Sequence, residues 1–104
     1  MQFVVIGRDG SDPNAMTRRR AARSDHLAQG DRMIANGSLL CGAALLDDEG
    51  QMVGSMYLVS FPSRVELDAW LRIEPYMLGG VWQDVQIQPA QLGPSFVHLL
   101  EHAY

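Results

Sequence analysis

The chain has 104 residues, enough for one domain with one modest core, and 47 % apolar and 19 % charged residues are ordinary for a globular protein. A formal net charge of −4 argues against a nucleic-acid surface, and no apolar run approaches the ~20 residues of a membrane span. The single cysteine, Cys41, excludes an internal disulfide framework and a multi-cysteine zinc site.

Gln2 to Arg8 (QFVVIGR) is a short, nearly continuous apolar run with β-branched residues. It is too short for a helix and reads as a strand covered on both faces. The start, MQFVVIGRDG, has neither a basic opening nor a small-residue cleavage site, so we expect no secretory signal. Asp9-Gly10-Ser11-Asp12 turns the chain into one long helix, Asp12 to Gly37. Asp12 suits the N-cap and Pro13 the first helical position, and Gly37 suits the left-handed C-cap. At ~100° per residue, Met16, Arg19, Ala22, Arg23, His26, Leu27, Gly30, Met33 and Ile34 share the side expected to face a sheet. A helix that needed only to pack would not place Arg19, Arg23 and His26 there. The chain has no lysine, and four of its eight basic residues, Arg18, Arg19, Arg20 and Arg23, cluster on this helix. Arg18 and Arg20 point away from the apolar side and are expected to face water. Arginines on the other side offer fork-shaped donors for an anion.

Ser38 to Leu46 (SLLCGAALL) is apolar throughout and fits a strand or a helix; Gly42 and the tight turn at Gly37 favour a strand. Cys41 within it reads as an inert buried thiol, in keeping with a reducing cytoplasm. Asp47-Asp48-Glu49-Gly50 is a four-residue hairpin turn. Gln51 to Phe61 alternates, with Val53, Ser55, Tyr57, Val59 and Phe61 on one face and Gly54, Met56, Leu58 and Ser60 on the other. A second helix opens at Ser63, with Glu66 at capping-box spacing. Leu67, Trp70 and Leu71 form its buried stripe, and Pro75 ends it. Val81 to Pro89 alternates again, with Val81, Val85 and Ile87 on one face and Trp82, Asp84, Gln86 and Gln88 on the other. The tail from Ala90 to Tyr104 turns at Leu92-Gly93-Pro94. Phe96, Val97, Leu99, Leu100 and Tyr104 then suggest a short amphipathic helix packed on the domain or on a partner subunit.

The order β-α-β-β-α-β is the ferredoxin-like split arrangement, of class α+β. With right-handed crossovers it makes a four-stranded antiparallel sheet with two helices on one face. Residues 1–89 form the domain and 90–104 the tail. The uncovered sheet face, carrying Met56, Leu58 and Trp82, would make an apolar patch, so we expect a homodimer with the sheets facing each other.

An ordered set of residues resembles the YCII-related (YciI-like) proteins. It runs through Arg23-x-x-His26-Leu27, Gly37-x-Leu39, Gly42 and Gly54-Ser55. It continues through Trp70, Pro75-Tyr76, Gly80-Val81-Trp82 and Val85-x-Ile87-x-Pro89. The resemblance spans about residues 2–89. It implies a protomer of a dimeric α/β barrel, a superfamily that includes muconolactone isomerases, chlorite-dismutase-like haem proteins and small monooxygenases. The family's centre pairs a histidine of the first helix with the aspartate of an Asp-Pro-Tyr motif. His26 matches the histidine, but the aspartate position is Glu74, in Glu74-Pro75-Tyr76, which adds one methylene of reach. The clearest activity in the family is a dehydrochlorinase acting on a chlorinated hydroxyquinol.

His26 is the residue suited to general acid/base work near neutrality. With Glu74 as orienter and Arg23 as anion clamp it suits a lyase- or isomerase-type proton transfer. The substrate would be a small oxygenated metabolite, aromatic and anionic ones included. Against this stands a core histidine bonded to a carboxylate or carbonyl, which would make the chain a non-catalytic binding or accessory module. Tyr76 either donates to a substrate or roofs the core. Ser55 is a pocket-lining hydroxyl, since no Gly-x-Ser-x-Gly elbow accompanies it. Trp82 reads as an interface residue and Asp84 as a solvated one. His98 and His102 have helical metal-ligand spacing but no third ligand. Haem, by superfamily analogy, has no proximal ligand except His26. We therefore expect no metal and no cofactor, no nucleic-acid or membrane partner, and a small-molecule ligand.

Overall fold

The computed structural model describes residues 1–100. The elements run β1 (Gln2–Asp9), α1 (Ala15–Asn36), β2 (Leu39–Leu46), β3 (Met52–Ser60), α2 (Arg64–Ile73), α3 (Pro75–Leu78) and β4 (Trp82–Ala90). A 3₁₀ segment, Pro94–Leu100, follows. The sheet order is β2-β3-β1-β4, with every neighbouring pair antiparallel. This is the ferredoxin-like α+β fold. Among the described residues, no helix is long and apolar enough to cross a membrane.

One sheet face carries the core. Phe3, Val5, Val59 and Leu39 of the strands meet Met33 of α1, Leu67, Trp70 and Leu71 of α2, and Tyr76 of α3. Only this face of β1 is covered: Phe3, Val5 and Gly7 are buried, whereas Val4 and Ile6 are half-buried on the other face. The β2–β3 turn is built by Asp47. Its Oδ1 accepts from the N–H groups of Glu49 and Gln51, and Gly50 closes the turn at φ 82°.

Helix α1 starts later than the Asp12-Pro13 signal. Its N-cap is Asn14, which makes no side-chain cap bond. The Asp12 carboxylate accepts from the Asn14 N–H at 3.2 Å and pairs with Arg18 at 2.5 Å, so it braces the first turn from outside. Arg18 does not face water freely. It also donates from Nε to the Gly80 carbonyl at 3.2 Å, tying α1 to the loop before β4. The C-cap is Gly37 at φ 85°, with the Schellman-type bonds of a left-handed cap. At the start of α2, Ser63 Oγ accepts from the Val65 N–H at 3.3 Å, and its hydroxyl donates to Glu66. Helix α3 was hidden in the sequence by Pro75. Glu74 leaves α2 in an extended conformation and caps a new four-residue helix, with Pro75 at its first position.

Two expectations about faces are corrected. Cys41 is exposed on β2, not buried, because β2 is an edge strand. Trp82 lies on the helix-covered face, not the open one. Arg8 pairs with Asp84 but Asp9 pairs with Trp82, so Gln83 is an extra residue in β4 and the side-chain alternation shifts there. The bulge puts Trp82 on the same side as Val85 and Ile87, in the core. The open face is therefore built from Val4, Ile6, Met56 and Leu58, without the indole.

The 3₁₀ segment contacts β2 and buries none of its residues. Glu101, His102 and Tyr104 lie outside the described residues.

Candidate active site

Helix α1 presents two adjacent stripes rather than one. Arg19, His26 and Met33, seven apart, are buried against the sheet. Arg23, Leu27, Gly30 and Ile34 lie beside them and line a cavity of about 260 Å³ between α1 and the β2–β3 edge. Leu27 and Ile34, at 47 % and 52 % exposure, are thus cavity wall and not core. Arg23 is exposed at the same wall and makes no ion pair among the described residues. A cavity of about 150 Å³ holds benzene in another protein, so this one admits a single-ring molecule.

At the inner end of the cavity His26 is 6 % exposed and held on every side. Its Nδ1 lies 2.6 Å from Glu74 Oε1. Glu74 is 1 % exposed, and its other oxygen, Oε2, accepts from the Tyr76 N–H at 2.9 Å. One carboxylate thus caps α3 and orients the imidazole. The Tyr76 ring stacks on the imidazole at 3.6 Å between centroids, and the Trp82 indole meets it edge-on at 6.0 Å. His26 Nε2 is bonded to the Tyr57 hydroxyl. In the neutral tautomer with the proton on Nδ1, which an ionised Glu74 favours, Nε2 accepts the Tyr57 O–H. The Tyr57 and His26 rings are within 7° of parallel, with centroids 5.5 Å apart.

Beside this chain lies a second polar cluster. Arg19 donates to both oxygens of Asp9 at 3.0 Å and from Nη2 to Ser55 Oγ at 3.2 Å. Trp82 Nε1 also donates to Ser55 Oγ at 3.2 Å. With both lone pairs occupied, the Ser55 hydroxyl has its proton left to donate, and it lines the cavity. The Arg19 guanidinium lies 5.0 Å from the centre of the Tyr76 ring, a cation–π contact. Among the described residues, Arg19 Nε is buried without a hydrogen-bond partner. Burial pushes the hydroxyls of Tyr57 and Tyr76 up; Glu74 adds to the rise for Tyr57, and Arg19 opposes it for both.

Two glycines seat the aromatics. A Cβ on Gly7 would stand 2.4 Å from the Trp82 ring, and one on Gly42 would stand 2.5 Å from the Tyr57 ring. Both rings lie flat on neighbouring strands, which only a missing side chain allows.

The structure thus gathers His26, Glu74, Ser55 and Tyr76, with Arg23 at the rim of the same cavity. Sequence reasoning put Arg19 on the inward side of α1 without finding its partner, left Tyr57 and Asp9 out of the site, and misplaced Trp82. Tyr57 had a signal: it shares the β3 face with Ser55, two residues away. Asp9 had none, because its partner is chosen by tertiary packing.

A buried histidine–carboxylate pair thus stands at the wall of a cavity beneath the first helix of a ferredoxin-like α+β domain. The chain belongs to the YCII-related domain family, whose profile matches residues 1–91. An uncharacterised protein of Haemophilus influenzae is 30 % identical over 95 residues, covering 86 % of this chain and 95 % of the relative. Protein YciI of Escherichia coli is 27 % identical over 95 residues, with the same shares covered. Among solved structures, this chain is similar to 5-chloro-2-hydroxyhydroquinone dehydrochlorinase (TftG) from Burkholderia phenoliruptrix, in complex with 2,5-dihydroxybenzoquinone. The TM-score is 0.77 at 20 % identity, over 91 % of this chain and 98 % of that one. Rv0793 from Mycobacterium tuberculosis gives a TM-score of 0.60 at 16 % identity, over 90 % and 99 %. At these identities the likeness is one of fold.

Proposed function

We propose that the protein is a lyase- or isomerase-type enzyme that moves a proton on a small hydroxylated ring compound. The observation behind this reading is the buried His26–Glu74 pair, 2.6 Å apart, at the wall of a cavity of about 260 Å³. Glu74 orients the ring and stabilises the imidazolium that forms when His26 takes up a proton. Arg23 at the rim attracts and holds an anionic oxygen, and Ser55 donates to a second one. In an elimination the substrate loses a proton to the His26 side. The electron pair left behind forms the new double bond, and the leaving group departs with its own pair. The dehydrochlorinase neighbour supports this reaction class. Glu74 supplies the carboxylate, and its two oxygens serve His26 and α3 together.

The same reading has the protein working in the reducing cytoplasm, where the exposed Cys41 stays a thiol. It acts as a homodimer through the open sheet face, where Val4, Ile6, Met56 and Leu58 supply the apolar contact. Residues 90–104 form a tail to the domain.

The test is turnover of a panel of hydroxyquinols, chlorinated ones among them, followed by absorbance and chloride release. Wild type is expected to be active, and His26→Gln to lose at least about 100-fold while still folding, as circular dichroism would show. Ligand binding without turnover by wild type would instead make the chain a binding module with a structural His26.

A further inference from the structure

We propose that Tyr57 is the residue that exchanges the proton with substrate, and that Glu74, His26 and Tyr57 form a relay whose outer end is the Tyr57 hydroxyl. This rests on the enzyme reading above and assigns the group that touches substrate. The argument starts from what His26 has left to offer. Nδ1 is taken by Glu74 and Nε2 by Tyr57, one ring face is covered by Tyr76, and an edge meets Trp82. A substrate in the cavity therefore finds no free ring nitrogen. Tyr57 is only half-buried and lines the same cavity.

The direction of the bonds sets the relay. The Tyr57 O–H donates inward to Nε2, so the outward lone pairs of its oxygen face the substrate. A substrate O–H or C–H bond breaks and its proton goes to the Tyr57 oxygen. In the same step Tyr57's own proton passes to His26 Nε2. The substrate keeps the electron pair, Tyr57 ends neutral, and the imidazolium formed lies against Glu74. Return of the proton follows the same path in reverse. Burial and the Glu74 charge hold the phenol above its ordinary range, so Tyr57 transmits a proton without resting as a phenolate.

Ser55 completes the device. It stands two residues before Tyr57 on the same face of β3, about 7 Å along the strand. Its hydroxyl accepts from Arg19 and Trp82, which polarises it as a donor toward a negative oxygen growing on the substrate. Gly42 holds the relay in register by letting the Tyr57 ring lie flat across β2.

The experiment compares wild type, Tyr57→Phe, His26→Gln and a chain carrying 3-fluorotyrosine at position 57. Steady-state kinetics use 5-chloro-2-hydroxyhydroquinone and its unchlorinated analogue, and ¹⁵N NMR reads the His26 ring in the ligand-free protein. We expect Tyr57→Phe to lose at least about 100-fold in kcat with KM nearly kept. The Nε2 resonance should move toward that of an imidazole without a donor. Fluorotyrosine, a more acidic phenol with an unchanged ring, should change kcat at least about threefold at fixed pH with KM nearly kept. If Tyr57→Phe keeps kcat within threefold while His26→Gln abolishes it, His26 acts directly and the relay is wrong, although the enzyme reading stands. An unchanged kcat for the fluorotyrosine chain also overturns the relay, and it decides the matter should Tyr57→Phe fail to fold. A wild type that turns over neither compound removes the enzyme reading and the relay with it.

Discussion

Glu74 holds His26 with one carboxylate oxygen and the first turn of α3 with the other, 2.6 Å from Nδ1 and 2.9 Å from the Tyr76 N–H. A single buried side chain therefore ties α1 to α3 and sets the orientation of the imidazole. Replacing it with alanine leaves two buried N–H donors without acceptors, at a cost of about 1–3 kcal/mol for each. Glu74→Gln keeps one acceptor oxygen and should lose less stability. Chemical denaturation of the two variants should rank them in that order. Glu74→Asp is the informative third, since one methylene fewer cannot span both partners and should weaken one of the two bonds.

Gly7 is the seat of the Trp82 indole. Adding a methyl by Gly7→Ala places it 2.4 Å from ring carbon, so the indole must move. The expected cost is about 1–3 kcal/mol, typical of overpacking. The Trp82–Ser55 bond should be lost with it, which near-UV circular dichroism and tryptophan emission will report alongside the melting temperature.

The Arg19–Asp9 pair is almost wholly buried on both sides. Removing one partner leaves the other charge stranded, so Arg19→Met should cost about 3–5 kcal/mol. The double variant Arg19→Met/Asp9→Leu should be more stable than the single one, because the stranded carboxylate is gone. Urea denaturation of the four members of this cycle checks the sign of the coupling.

Tyr57 makes stability depend on alkaline pH. Its folded pKa is raised from an ordinary value of 10.0, so the folded state favours the neutral phenol. That contribution is fully present below the unfolded value and falls away as pH rises above it toward the folded one. The melting temperature should therefore drop between about pH 10 and 11, from a flat region near pH 8, as the unfolded tyrosine ionises. Tyr57→Phe should decline less steeply over the same window. Equal slopes for the two proteins would show that Tyr57 is not held in its neutral form.

Much of this protein was determined by local sequence. Gly37 ends α1, Asp47 to Gly50 turns the hairpin, and Ser63 starts α2, because caps and turns depend on one or two residues and their own backbone. The alternation of β3 and the apolar stripe of α2 follow from periodicity, and together these elements specify β-α-β-β-α-β. Tertiary structure alone decided the rest. The Gln83 bulge, invisible to a rule of strict alternation, carries Trp82 from the open face to the site. Asp9 finds Arg19, and Tyr57 finds His26, across different elements, so no spacing along the chain announces them. Arg18 is held by Gly80 for the same reason. Local periodicity says which side of an element is buried; only the packed sheet says which buried polar group meets which, because burial leaves each donor to find its acceptor wherever the fold brings one.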